Sequence, residues 1–280
     1  MTQRLAERAG YPAPEAIAAA RAMAAAAMAQ GRWATQRPVL VDAFGGCEAL
    51  RICPPEPPRA RVIHLHGGGY RMGMPEMDAP FAEALAERCG VEVILPRYRL
   101  APEHPFPAGL NDALAALDAL PADMPVILSG GSAGGGLAAA LAALCGPGIA
   151  GLVLLSPWLD LRLTAPSLDA KAASDPLFSR EAATVAAELY LQGHDPADPL
   201  ASPVLADTSG FPPTLIAVGT GEVLLDDSRT MAARLERAGI AARLIEVPGM
   251  DHVAVTRDSQ AIGAADTFAA LTSFIDERLA

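Results

Sequence analysis

From residue 61 onward, short β-prone runs alternate with longer helical stretches, and this alternation limits the fold more than any other feature of the sequence. Residues 61–65, 91–95, 126–129 and 149–155 read as strands. Residues 77–88, 108–120 and 132–144 read as the helices between them. The pattern breaks over 160–207, a helical and loop-like stretch with scattered prolines. It then resumes with strand 214–218, helix 227–238, strand 241–247 and helix 264–279. Strands joined by helices imply an α/β fold with a mostly parallel sheet covered on both faces. Upstream, residues 39–44 and 49–53 flank Gly45-Gly46, a hairpin signal, and 54–58 is a stiff proline-rich connection.

This divides the chain into N-terminal helices (1–37), a first core part (38–160), an insertion (161–207) and a second core part (208–280). An insertion between strands of an open sheet tends to sit over their C-terminal edge, where ligands bind. The insertion and the N-terminal helices are therefore expected to form a helical cap. With 51% hydrophobic residues over 280 positions, the chain can bury a sizeable core. A formal charge of −11 argues against nucleic acid, which would call for a basic face. The alanine-rich stretch 13–30 is interrupted by Glu15 and Arg21 and reads as a surface helix, so no membrane association is expected. Cys47, Cys53, Cys89 and Cys145 form no Cys-x-x-Cys pair. They read as free thiols in a reducing, cytoplasmic compartment.

Between a strand and a helix stands "SGGSAGGG", residues 129–136. A phosphate loop of the Walker type needs a Gly-Lys-Ser/Thr step, and the only lysine of the chain is Lys171. The dinucleotide spacing G-x-G-x-x-G with a later acid is not met either. What does match is G-x-S-x-G, here Gly130-Gly131-Ser132-Ala133-Gly134, in the strand–turn–helix setting of a nucleophile elbow. Gly130 and Gly134 would let strand and helix approach closely, and Ser132 would project beside a helix N-terminus that favours a developing anion.

A serine hydroxyl needs a base and an orienting acid to act as a nucleophile. Of the five histidines, His64 lies mid-strand, His104 among prolines and His194 in the insertion; all three read as structural or surface residues. His252, in "PGMDHV" after strand 241–247, stands at the same sheet edge as Ser132 and is the expected base. The acid should follow strand 214–218, where Glu222, Asp226 and Asp227 are candidates. Glu222 is nearest the strand end; Asp226 and Asp227 have the look of helix N-terminal residues. An oxyanion hole needs main-chain donors. "HGGGY", His66 to Tyr70 after strand 61–65, supplies two of Gly67, Gly68 and Gly69, and Ala133 supplies another.

These segments, together with "YRLAPEHPFPA" (98–108), "SPWLD" (156–160), "EVLLDDS" (222–228) and "GMDH" (249–252), resemble the bacterial hormone-sensitive-lipase-like carboxylesterases of the α/β-hydrolase superfamily. The resemblance spans nearly the whole chain. It implies Ser132 as nucleophile, His252 as base, Glu222 as acid and His66 as a brace for the oxyanion loop, with no metal or cofactor. Three positions depart from the family pattern: Gly131 replaces the usual Asp before the serine, Glu222 the usual Asp of the triad, and Arg97 an Asp ahead of "YRLAPE". The loss of the Asp at 131 is expected to loosen the elbow. The reading is a serine esterase for small, short-chain carboxylic esters, with a lactone hydrolase as the alternative. A non-catalytic receptor-like relative and a peptidase or amidase are less favoured: the first typically lacks the histidine, and the second usually carries a large extra domain. The edge strand at 241–247 offers a surface for a homodimer.

Overall fold

The computed structural model describes residues 14–280. The first 13 residues of the expected N-terminal helical segment lie outside the described residues. Helix α1 (Pro14–Ala29) opens the described chain. Eight strands follow: β1 (Leu40–Phe44), β2 (Cys47–Ile52), β3 (Arg61–Leu65), β4 (Glu92–Pro96), β5 (Val126–Gly131), β6 (Gly151–Leu155), β7 (Thr214–Gly219) and β8 (Ala242–Val247). They form one sheet in the order β1-β2-β4-β3-β5-β6-β7-β8. The hairpin β1–β2 turns at Gly45-Gly46, and β2 runs antiparallel to β4. Every other pairing is parallel.

The helices between strands are α2 (Ala79–Cys89), α3 (Ala108–Asp118), α4 (Ala133–Cys145), α5 (Ser167–Ala170), α6 (Arg180–Leu191) and α7 (Leu225–Arg237); α8 (Ala254–Arg257) and α9 (Ala264–Arg278) follow β8. Helix α2 begins two residues later than its sequence pattern suggests, because Pro75 starts a 3₁₀ turn over Pro75–Asp78. Likewise β6 begins at Gly151, after a turn at Gly146–Gly148. Helices α3, α4 and α7 cover one face of the sheet, and α2 and α9 the other.

Strands β3 to β7 are buried over nearly their whole length, and their apolar residues feed two cores, one per face. This is why they read as continuous apolar runs without alternation. Helix α4 is buried from Ala133 to Ala142 and lies beneath the nucleophile elbow. A glycine- and alanine-rich surface there lets the helix sit against β3 and β5. A Cβ on Gly134 would fall 2.0 Å from the carbonyl oxygen of Leu65, and one on Gly130 would fall 2.2 Å from that of Gly134. No side chain fits at either place.

The parallel register sets the strand ends on one line. Leu65 pairs with Gly130, Gly131 with Leu155, Leu155 with Ala217, and Gly219 with Val247. The residues just past these ends therefore meet at a single edge, although they come from five separate stretches of sequence. Helix α1 is tied to this edge by Arg21, which donates to the carbonyls of Arg71 (3.0 Å) and Ala101 (2.6 Å) and pairs with Glu103.

Candidate active site

Ser132 follows β5 directly, with φ 53° and ψ −120°. A non-glycine residue held there costs on the order of 1–3 kcal/mol, which the surroundings must supply. They do so through the main chain: the Ser132 amide donates to Leu155 (2.9 Å), and its carbonyl accepts from Gly136 (3.1 Å) and Trp158 (3.0 Å). The side chain is then free for one partner. Its Oγ lies 2.9 Å from Nε2 of His252, and Nδ1 of His252 lies 2.7 Å from Oε2 of Glu222. The structure thus brings together Ser132, His252 and Glu222 in an unbroken line of hydrogen bonds.

Glu222 is buried at 1% exposure, and its second oxygen is also occupied. Oε1 accepts from the Gly219 amide (2.6 Å) and from the Ser156 hydroxyl (2.7 Å). The extra methylene of glutamate, relative to the family's aspartate, is absorbed by folding the side chain back onto the end of its own strand. Ser156, just past β6, was not among the candidates read from sequence. Its Oγ accepts from the amide of Val253 (3.1 Å), so one hydroxyl joins the acid to the histidine loop. The signal for it was its position at a strand end on the same edge.

Asp226 and Asp227 do not reach His252. Asp226 accepts from the amide of Ser167 (2.9 Å). Asp227 accepts from those of Leu159 (2.8 Å) and Asp160 (3.0 Å). Both fasten the stretch after β6 to the start of α7. Burial pushes the Asp227 carboxyl up to about 7, with the charges of Asp160 and Asp226 adding to the effect and the two amides opposing it. A carboxyl raised in the folded state binds its proton more tightly there than in the unfolded chain. Stability is therefore lost as pH rises from about 4 towards 7, and is level above that. Asp227→Asn is expected to remove this loss, on the order of 4 kcal/mol in all and about 3 kcal/mol between pH 5 and pH 8. Urea midpoints at pH 5 and pH 8 check it: the wild type should fall between them by more than the variant.

The glycine turn after β3 lies against the serine. A Cβ on Gly67 would stand 3.4 Å from that of Ser132. The Gly68 carbonyl accepts from the amides of Arg71 (3.3 Å) and Met72 (2.9 Å), which fixes the turn. Gly69 lies farther out, beneath Ala186 of α6. Among the described residues, the amides of Gly67, Gly68, Gly69 and Ala133 have no protein acceptor. His66 is buried and stacks on Tyr98 with ring centroids 4.3 Å apart; its Nδ1 lies 2.8 Å from the Gly67 carbonyl. Tyr98 in turn donates to the His66 carbonyl (2.7 Å).

The other histidines stand apart. His64 is buried between Ser129 (2.9 Å) and Asp78 (3.3 Å), and His194 pairs with Asp198 (2.7 Å). His104 is exposed. Arg97 pairs with Glu48 and Glu76, so its departure from the family pattern is absorbed by ion pairs outside the site. Gly131 does not leave a gap. The Val253 side chain fills the space, with Cγ1 2.8 Å from where a Cβ would be. The expectation of a loosened elbow finds no vacancy behind it.

A sheet of this order, with an elbow serine after β5, an acid after β7 and a histidine after β8, defines an α/β hydrolase. Comparison with known proteins agrees. A family model described as alpha/beta hydrolase fold matches residues 62–256. An acetyl-hydrolase of Streptomyces hygroscopicus is 40% identical over 221 residues, spanning 76% of this chain and 74% of that protein. A hormone-sensitive lipase from a metagenome library superposes with TM-score 0.89 at 35% identity, covering 100% of this chain and 97% of the other. An esterase of the bacterial hormone-sensitive lipase family gives 0.88 at 31%, with the same coverage. The chain belongs to that family and is a carboxylic ester hydrolase. Among the described residues, no helix is long and apolar enough to cross a membrane.

Proposed function

We propose that the protein hydrolyses short-chain carboxylic esters through an acyl-enzyme on Ser132. The observation that carries this reading is the hydrogen-bonded line from Ser132 Oγ through His252 to Glu222, at 2.9 and 2.7 Å, beside amides without acceptors. His252 Nε2 takes the hydroxyl proton as Oγ attacks the ester carbonyl. The imidazolium that forms keeps its Nδ1 proton and donates it as a hydrogen bond to the Glu222 carboxylate. The carbonyl oxygen becomes an oxyanion, held by the amides of Ala133 and two of Gly67, Gly68 and Gly69, with Gly67 nearest the serine; each donor contributes roughly 3–4 kcal/mol to the transition state. His252 then protonates the departing alkoxide. Water, activated by the same nitrogen, releases the acid and restores Ser132.

The short-chain preference is supported by the segment 161–207, which we read with α1 as a cap. Helix α6 packs over Gly69, and Phe178 lies over one face of His252, so room around the serine is restricted. The acetyl-hydrolase relative points the same way. On p-nitrophenyl esters of increasing acyl length, kcat/KM is expected to peak at acetate or butyrate and to fall by at least about tenfold at decanoate, as a bounded pocket requires. A maximum at long acyl chains, or γ-lactones turned over faster than any open ester, would reject this substrate class. A homodimer and a cytoplasmic location belong to the same proposal. Among the described residues, strand β8 is paired on one side only, and the four cysteines are unpaired. Light scattering and cell fractionation test them.

A further inference from the structure

Phe178 belongs to the insertion, far in sequence from every residue of the proposed triad, yet its ring lies on that of His252. The centroids are 5.7 Å apart and the planes differ by 10°. The contact is held from behind. Phe178 meets the buried Trp158 edge to face, with centroids 5.3 Å apart. Asp175 Oδ1 accepts from the amides of Leu177 and Phe178, both at 3.0 Å. Its Oδ2 accepts from the Val223 amide, also at 3.0 Å, one residue past Glu222. Ser174 Oγ adds a bond to the Gly221 carbonyl at 2.8 Å. The turn 174–178 is thus fastened to the turn that carries the acid.

We infer that Phe178 is a positioning residue that sets the plane of the His252 ring. The inference rests on the triad reading above. Glu222 and Ser132 hold the imidazole at its two nitrogens, and both bonds lie in the ring plane along the line joining them. With the Cβ–Cγ bond they fix where the ring is, but they resist only weakly a residual tilt about that line. A flat aromatic face parallel to the ring opposes this tilt, and offset stacking of this kind is favourable. The tilt matters because Nε2 must deliver its proton to a second place, the leaving alkoxide, after taking it from Ser132. Through Asp175, the insertion holds this face and the acid turn in one unit.

The test compares variants of the full chain on ethyl acetate, whose ethoxide, unlike p-nitrophenolate, leaves only as it takes the proton from Nε2. Phe178→Leu keeps apolar bulk and loses the flat face. It is expected to lower kcat by about tenfold or more while KM stays within about twofold. Phe178→Tyr and Phe178→Trp are expected to keep kcat within about threefold of wild type, since each retains a planar ring. Asp175→Asn leaves the ring intact but weakens its anchor, and is expected to lower kcat several-fold. Unchanged kcat in Phe178→Leu overturns the inference. So does a change confined to KM, which marks a pocket wall, or Tyr and Trp variants as slow as Leu, which marks a packing requirement alone. Should Phe178→Leu fail to fold, the Tyr, Trp and Asn variants decide by the same criteria. Ser132→Ala is run alongside: its full activity would reject the triad itself, whereas its inactivity with an unimpaired Phe178→Leu rejects only the role of Phe178.

Discussion

Replacing Ser132 by alanine is expected to lower kcat/KM on short p-nitrophenyl esters by at least about 10⁴-fold, leaving only what the main-chain donors and substrate binding supply. The hydroxyl is the one atom through which the buried acid and the histidine act on a substrate. Its removal ends covalent catalysis, and neither remaining partner compensates. Stability should move by no more than about 1 kcal/mol. The unusual backbone at 132 is held by the amide and carbonyl bonds to Leu155, Gly136 and Trp158, which the substitution leaves in place. Alanine carries a Cβ of the same kind and suffers the same backbone strain. Steady-state assays together with urea unfolding of the variant check both halves. A large loss of stability alongside the loss of activity would mean that the hydroxyl holds the elbow together.

Gly131→Asp, which installs the family's usual residue, is expected to damage this particular chain. The new Cβ would press on Val253 Cγ1. Val253 is buried, has φ 52° and ψ 34°, and has its amide bound to Ser156, so it has little room to retreat. Overpacking of this kind costs about 1–3 kcal/mol, and a carboxylate buried without a partner adds to that. Because Val253 follows His252 directly, its displacement also moves the imidazole. A shift of about 1 Å at such a group can cost about 10² in rate. The double variant Gly131→Asp, Val253→Ala should recover much of both losses, with a coupling of about 1 kcal/mol or more in stability. Urea midpoints and kcat for the two single variants and the double variant measure it. Additive effects would show that Val253 does not occupy the place of the missing aspartate.

The strands, most helices and the order of functional segments were legible because each has a local cause. Buried parallel strands are apolar throughout, the elbow needs glycines at fixed spacing, and loops after strands carry the chemistry. His252 was legible for the same reason, from its place after β8. The choice among Glu222, Asp226 and Asp227 was not settled by residue order alone. It depends on how Glu222 folds back to the Gly219 amide while Asp227 turns towards Leu159 and Asp160. Ser156 was recoverable in principle, as another residue just past a strand end. Phe178, Asp175 and the fit of Val253 against Gly131 were not. Each is a contact between segments distant in sequence, and no periodicity or motif spacing records which face of a loop meets which ring. Residues 161–207 hold two aromatic side chains, Phe178 and Tyr190. Their composition gives no sign that Tyr190 stacks on Tyr70 while Phe178 lies on His252.

The most direct test of the account is to catch the covalent intermediate. Acid quenching within the first turnovers of p-nitrophenyl acetate, followed by proteolysis and mass spectrometry, should find one acetyl group on the peptide spanning residues 129–136, attached at Ser132. An active enzyme quenched in its burst phase with that serine unmodified and the acetyl group on another residue would contradict the account.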